Sequence, residues 1–127
     1  MAHRSRLSVI LIDCPPDRMD AGVEFWSGAL GMRAQHWGND DDPYAILDGR
    51  VGGLTFGLQA VNDEARIHLD IESDDVDAEV RRLEALGARR KARVESWWVM
   101  EAPSGHLFCV VGPQSDDVPA DANLWES

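Results

Sequence analysis

The sequence predicts a mixed α+β fold made of two copies of one module, a strand, a helix and three further strands. The stretch Arg66 to Gly87 changes period midway. Ile67, Leu69 and Ile71 alternate with His68, Asp70 and Glu72, after which Val76, Val80, Leu83 and Leu86 recur at helical spacing. The same sequence of periods occurs once before. Leu7 to Asp13 reads as a strand, Cys14-Pro15-Pro16-Asp17 interrupts it, and Met19, Val23, Trp26 and Leu30 follow at helical spacing. Ala29-Leu30-Gly31 echoes Ala85-Leu86-Gly87, and each is followed by short alternating runs, which is how an internal duplication looks in sequence.

In chain order, the first helix ends at Gly31 and the second at Gly87, each a residue suited to the left-handed cap. The second helix begins on an acidic turn, and Asp77 precedes Arg81 by one helical turn. Met32 to Trp37 reads as a strand. Gly38-Asn39-Asp40-Asp41-Asp42-Pro43 reads as a turn, its three aspartates lacking the spaced ligands and closing Glu of a calcium loop. Tyr44 to Leu47 is a strand, Asp48-Gly49-Arg50 a hairpin turn and Val51 to Val61 a third strand, with Asn62 to Ala65 linking the halves. The second module repeats this with Arg89 to Glu95, Trp97 to Glu101, the turn Ala102-Pro103-Ser104-Gly105, and His106 to Val111. One domain over residues 1–112 results, with modules at about 5–61 and 66–112 and a polar tail over 113–127. Trp125 in that tail either docks on apolar surface of the body or of a partner subunit, or belongs to a frayed end.

A chain of 127 residues buries about two thirds of its unfolded surface and needs no disulfide staples. Cys14 and Cys109 lack metal-motif spacing and fit a reducing, cytoplasmic setting. No apolar run reaches membrane-spanning length, and the start of the chain lacks the apolar core of a signal peptide. A net charge of −11 repels nucleic acid and suits a neutral or cationic small molecule, although acidic surfaces also serve solubility alone.

The duplicated βαβββ pattern resembles the vicinal-oxygen-chelate superfamily of glyoxalases, bleomycin-resistance proteins and extradiol dioxygenases. So do Phe25-Trp26 before Leu30-Gly31, His68-Leu69-Asp70 before Asp74-Asp75-Val76-Asp77, and Pro103-Ser104-Gly105 before the last strand. The resemblance covers about residues 5–112 and implies a glyoxalase-like fold, a curled mixed sheet forming a cup around the ligand, and a homodimer. It also implies one metal ligand (His, Glu or Gln) on the first and last strand of each module. Carried across, these positions give His68 in the second module but Val9 or Ile10 in the first. On the last strands they give Cys109 and Leu58, with Gln59 facing the other way. The Ala102-Pro103-Ser104-Gly105 turn departs from the superfamily's usual Asp-Pro-x-Gly.

Two donors fall short of the three or four that catalytic metal sites use, so the sequence reads as a metal-free cup. Asp70, on the face of His68, could add a third donor in a His/Cys/Asp set suited to zinc. Without metal, His68 and Asp70, about 7 Å apart along one face, serve as a ligand-orienting or acid/base pair, or as two hydrogen-bonded residues on a wet sheet face. Cys109 is either a small buried hydrophobe or a thiol activated by His68. Trp97-Trp98 puts one indole on each side of a strand, and Glu101 shares the parity of Trp97. Trp37 stands at the expected cup rim, whereas Trp26 belongs to the core stripe of the first helix. His68, Asp70, Trp97, Glu101, Cys109 and Trp37 are therefore the candidate ligand contacts. The leading expectation is a small-molecule binder of the bleomycin-resistance type, without cofactor. The alternative is a lyase, isomerase or dioxygenase-like enzyme with a remodelled metal site or His68/Asp70 acid–base chemistry. A vestigial cup kept for dimerisation is the third.

Overall fold

The computed structural model describes residues 2–35, 42–51, 53–61 and 65–126. Its strands and helices follow the duplicated order. The first module contains β1 (His3–Cys14), a 3-10 turn (Pro16–Arg18), α1 (Met19–Leu30), β2 (Ala34–Gln35), β3 (Tyr44–Val51) and β4 (Leu54–Ala60). The second contains β5 (Arg66–Ser73), α2 (Val76–Ala85), β6 (Arg89–Val94), β7 (Trp97–Glu101) and β8 (Leu107–Val111), with β9 (Asn123–Trp125) after it. Among the described residues, no helix is long and apolar enough to cross a membrane.

The chain forms two compact units, Val9–His68 and Met1–Ser8 with Leu69–Ser127. In the first, β1 runs parallel to β4 in the register Val9↔Thr55 to Cys14↔Ala60, while β3 pairs antiparallel with both β4 and β2. One face packs on α1, burying Cys14, Met19, Val23, Ala45, Leu47 and Leu58, with Ile12, Trp26 and Phe56 at the margin. Met19, Val23, Leu47 and Leu58 each stabilise the unit by about 1.5–3 kcal/mol relative to exposure. Trp26 therefore lies against the core as its helical position predicts, in an edge contact with Phe25 at 5.1 Å.

In the other unit, β5 runs parallel to β8, which pairs antiparallel with β7, itself antiparallel to β6. The helix face holds Val80, Leu83, Met100 and Val110, flanked by Ile71, Val76, Trp98 and Phe108. Asp75 caps α2, its carboxylate accepting from the Ala78 amide at 3.0 Å, a contact worth about 1 kcal/mol. Exposed β6 carries Arg89, Arg90, Lys91 and Arg93, charges that discourage pairing with another chain along a sheet edge.

Several boundaries differ from the sequence reading. The Asp48-Gly49-Arg50 hairpin turn is instead an irregularity inside β3, where the register shifts between Leu47 and Val51 and Gly49 takes φ 109°. The chain turns at Gly53, and Val51 pairs with Leu54. Met32 to Trp37 keeps only Ala34–Gln35 as strand among the described residues, and β1 begins at His3 rather than Leu7. Trp37 and most of the acidic turn over 38–43 lie outside the described residues.

The tail is not frayed. Val118 and Ala122 are buried, and β9 pairs antiparallel with the start of β1, His3 opposite Trp125. The Trp125 indole donates from Nε1 to Ser5 Oγ at 2.9 Å, and the Arg82 guanidinium lies 3.9 Å above its ring. Beneath it Glu79 is fully buried. It accepts from Ser5 Oγ at 2.8 Å and from Arg82 Nε and Nη2, each at 2.8 Å, and lies 2.7 Å from His3 Nε2.

Candidate functional site

Strand periodicity and register decide which candidates share a face. Asp70 stands opposite Cys109 on β8, and Cys109 opposite Val99 on β7, while Leu107 pairs with Glu101. Paired residues project to one side, and residues two apart on a strand do the same. His68, Asp70, Glu72, Leu107, Cys109, Val111, Trp97, Val99 and Glu101 therefore occupy the face opposite the α2 core. Trp98 belongs to the helix face, where Arg90 and Arg93 lie 4.9 and 5.4 Å from its ring. Of the two adjacent indoles, Trp97 is the one beside the site.

The divide between the units falls inside β5, between His68 and Leu69, so His68 and Asp70 remain neighbours on one continuous strand. One donor atom from each of His68, Asp70 and Cys109 can be chosen so that all lie within 4.8 Å of one another. His68 is 7% exposed, Asp70 and Cys109 half-buried. Three donors thus meet where strict carry-over of the superfamily's positions gave two.

Glu101 is tied to Arg89 across the β6–β7 pair, and this hydrogen bond holds its carboxyl below the usual carboxylate range. Sequence reasoning named Glu72 on the titratable face but gave it no role. It is buried, accepting from Arg6 Nε at 3.0 Å and from the Gln114 amide at 3.2 Å, so it anchors β1 and the segment after β8. The spacing of His68, Asp70 and Glu72 was the signal for it; Arg6 and Gln114, distant in sequence, were not.

The corresponding positions of the first module are barren. Matching the ends of β1 and β5 sets Val9 against His68 and Leu11 against Asp70, each five and three residues before the strand ends Cys14 and Ser73. Leu11 pairs with Gly57, so Gly57 corresponds to Cys109. The sequence-based choice of Leu58 is thereby corrected, since Leu58 is fully buried in the core against α1. Ile10 shares the parity of the core residue Ile12, which leaves Val9 as the first-strand position. A Cβ on Gly57 would stand 2.6 Å from the Ala45 carbonyl oxygen, so strand packing excludes any side chain there. The first module offers an aliphatic residue and bare backbone, and the four-strand ligand set does not fit this chain.

A glyoxalase-like domain model matches residues 9–111. The chain belongs to the glyoxalase-like family. It is thereby a member of the glyoxalase/bleomycin-resistance/dioxygenase superfamily that its motifs resemble. Among solved structures, methylmalonyl-CoA epimerase from Mycobacterium tuberculosis is similar at 24% identity over 84% of this chain and 87% of that one, with a TM-score of 0.59. A glyoxalase/bleomycin resistance protein/dioxygenase superfamily member from Vibrio splendidus matches at 14% identity over 86% and 99%, TM-score 0.55. A 2,2',3-trihydroxybiphenyl 1,2-dioxygenase from Sphingomonas wittichii matches at 13% identity over 94% of this chain but 43% of its own, TM-score 0.58. At these identities the likeness carries the fold alone. No curated protein sequence matches the chain significantly.

Proposed function

We propose that this glyoxalase-like protein binds a flat organic ligand, neutral or cationic, over the face of β5, β8 and β7 that lies opposite α2. The observation that carries this reading is a shared face: register brings His68, Asp70, Cys109, Trp97 and Glu101 to the same side. Trp97 supplies a stacking surface, while Val99 and Leu107 supply apolar floor. His68 and Asp70 orient the polar end of the ligand, and the net charge of −11 favours a neutral or cationic one. In this reading the ligand is held, not converted.

The test is a titration with flat cationic and neutral aromatic compounds in the presence of a chelator, following Trp emission and melting temperature. A binder that raises the melting temperature and is recovered intact is expected, with affinity falling about tenfold in Trp97→Leu. A comparable loss is expected in His68→Ala, in which a ligand hydrogen bond goes. Affinity unchanged in both folded variants would move the ligand off this face and refute the reading.

A second reading, a superfamily-type enzyme, draws on the placing of His68 and Asp70 on one strand within reach of a common ligand atom. It requires that a compound be transformed and that His68→Ala abolish turnover with the fold intact. Cytoplasmic residence and a homodimer belong to the main reading. Exposed Phe25 and Leu30 on α1 support an association surface, which sedimentation at micromolar concentration tests.

A further inference from the structure

We infer that the segment after β8, residues 112–126, is a latched strap that opens as one piece and thereby controls whether the Glu72 carboxylate reaches the ligand face. All of its anchors lie in one compact unit, the one formed by Met1–Ser8 and Leu69–Ser127.

The strap leaves the sheet beside the residue it hides. Val111, the last residue of β8, pairs with Glu72, and the Gln114 amide then donates to Glu72 Oε1 at 3.2 Å. Arg6 Nε donates to the other oxygen at 3.0 Å, and Glu72 is 1% exposed. Asp70, two residues earlier on the same strand and face, is half-buried. A second carboxylate therefore stands in line with Asp70 but under cover, and the strap contributes to that cover.

The far end is the latch. There β9 pairs with His3–Ser5, and Arg4 Nη1 donates to the Ala122 carbonyl at 3.0 Å. The Trp125 indole donates to Ser5 Oγ and lies 3.9 Å from the Arg82 guanidinium. Both receiving groups are held by Glu79 and not by the tail. A preorganised seat of this kind waits unchanged while the indole is away, which favours its return.

Between these ends little holds the strap down. Gly112, at its root, has open space where a Cβ would stand. Val118 and Ala122 are buried but belong to neither core cluster, and Leu124 is half-exposed. Several hydrogen bonds of the segment are internal. Gln114 Nε2 donates to the Gly112 carbonyl, Ser115 Oγ to the Asp117 carbonyl, the Val118 amide to the Asp117 carboxylate, and the Ala122 amide to the Pro119 carbonyl. These bonds travel with the strap. Opening forfeits the latch, the Gln114 bond and two small apolar side chains, while Glu72 keeps Arg6 and gains water. Segments with so few buried apolar contacts open well short of global unfolding.

The consequence deepens the proposed function and rests on it only in taking this face as the ligand-binding one. Opening adds a carboxylate beside Asp70, which shifts preference from neutral toward cationic ligands.

The experiment uses the full chain without ligand and follows native-state amide hydrogen exchange by NMR. The Gln114 amide and the amides of β9 are expected to share one opening constant, about 100-fold or more above that of the amides joining β7 and β8. In Trp125→Ala both groups should exchange about 30-fold faster, Gln114 included although it lies at the other end of the strap. Carbodiimide coupling of glycine ethyl ester to carboxylates, mapped by mass spectrometry, reads Glu72 directly. Its labelling should rise in Trp125→Ala, while buried Asp13 stays unlabelled and so reports an intact body. A Gln114 amide that exchanges only together with the β7 and β8 amides overturns the inference. So does one that keeps its rate in Trp125→Ala while β9 opens, or a Glu72 that stays unlabelled in the folded variant. If Trp125→Ala does not fold, the exchange pattern of the unaltered protein decides. Neither measurement contains an organic ligand, so failure of the ligand titration and failure of the strap are separate results.

Discussion

Replacing Glu79 by Gln probes the buried junction of α2, β1 and the tail. The carboxylate is fully buried and meets four polar atoms, from His3, Ser5 and both Arg82 nitrogens, at 2.7–2.8 Å. A Gln amide presents one oxygen and one NH2 group, and because Arg82 faces both carboxylate oxygens, one of its N–H groups must then oppose a donor. Breaking a buried pair while leaving its partner costs about 3–5 kcal/mol, and Arg82, with about a quarter of its side chain exposed, regains some hydration. A loss of about 3 kcal/mol at pH 7 follows, equivalent to a melting temperature lower by about 10 °C for a domain of this size. The pH dependence has a definite sign. Burial pushes the Glu79 carboxyl up, but hydrogen bonds from Arg82, His3 and Ser5 and the Arg82 charge outweigh it, so its pKa falls below the ordinary 4.5. A depressed folded-state pKa contributes stability above the unfolded value and loses it as pH falls toward the folded one. The gap between the original protein and Glu79→Gln should therefore be full at pH 6–7 and narrow below about 4.5. Urea unfolding at several pH values measures it. Equal stability at pH 7, or a gap that does not change on acidification, would refute the account.

Trp125→Ala removes the indole donor to Ser5 and the surface under Arg82, and should cost about 2 kcal/mol in urea unfolding. Leu124→Ala, half-exposed on the same strand, should cost less than about 0.5 kcal/mol. A disulfide-exchange reagent at pH 8 should titrate one thiol in the native protein and two in denaturant. Burial, aided by the Asp13 charge, raises the Cys14 thiol above its usual value, whereas Cys109 is half-exposed. Equal native reactivity of both would contradict the packing of Cys14 against α1.

The parts of this fold that were legible in sequence are those fixed by local period. The apolar stripe Val76, Val80 and Leu83, the alternation around His68, and the glycines after each helix mark their elements without reference to anything remote. The face shared by Trp97, Glu101 and Asp70 follows once strand order is granted, because parity along a strand is rigid. Pairings across long separations were not legible. Glu79 looked like one more helix carboxylate until His3 and Ser5, more than 70 residues earlier, closed on it. The tail has no period because β9 spans three residues, too few to show one. The error at Leu58 had a different origin. Carrying a strand position across by sequence alone leaves a one-residue uncertainty, and in a strand one residue exchanges core for open face.

Gly57 sets a limit on what the first module can carry. The two copies are unequal: at this position of the first, the Ala45 carbonyl oxygen stands 2.6 Å from where a side chain would start. Placing any side chain there would require strands β3 and β4 to part first. The second copy faces no such obstacle, and exchange among Cys, His and carboxylate at position 109 needs only one change. Functional side chains can therefore be exchanged on β5 and β8, whereas the closeness of β3 and β4 at Gly57 confines the first copy to a scaffold role.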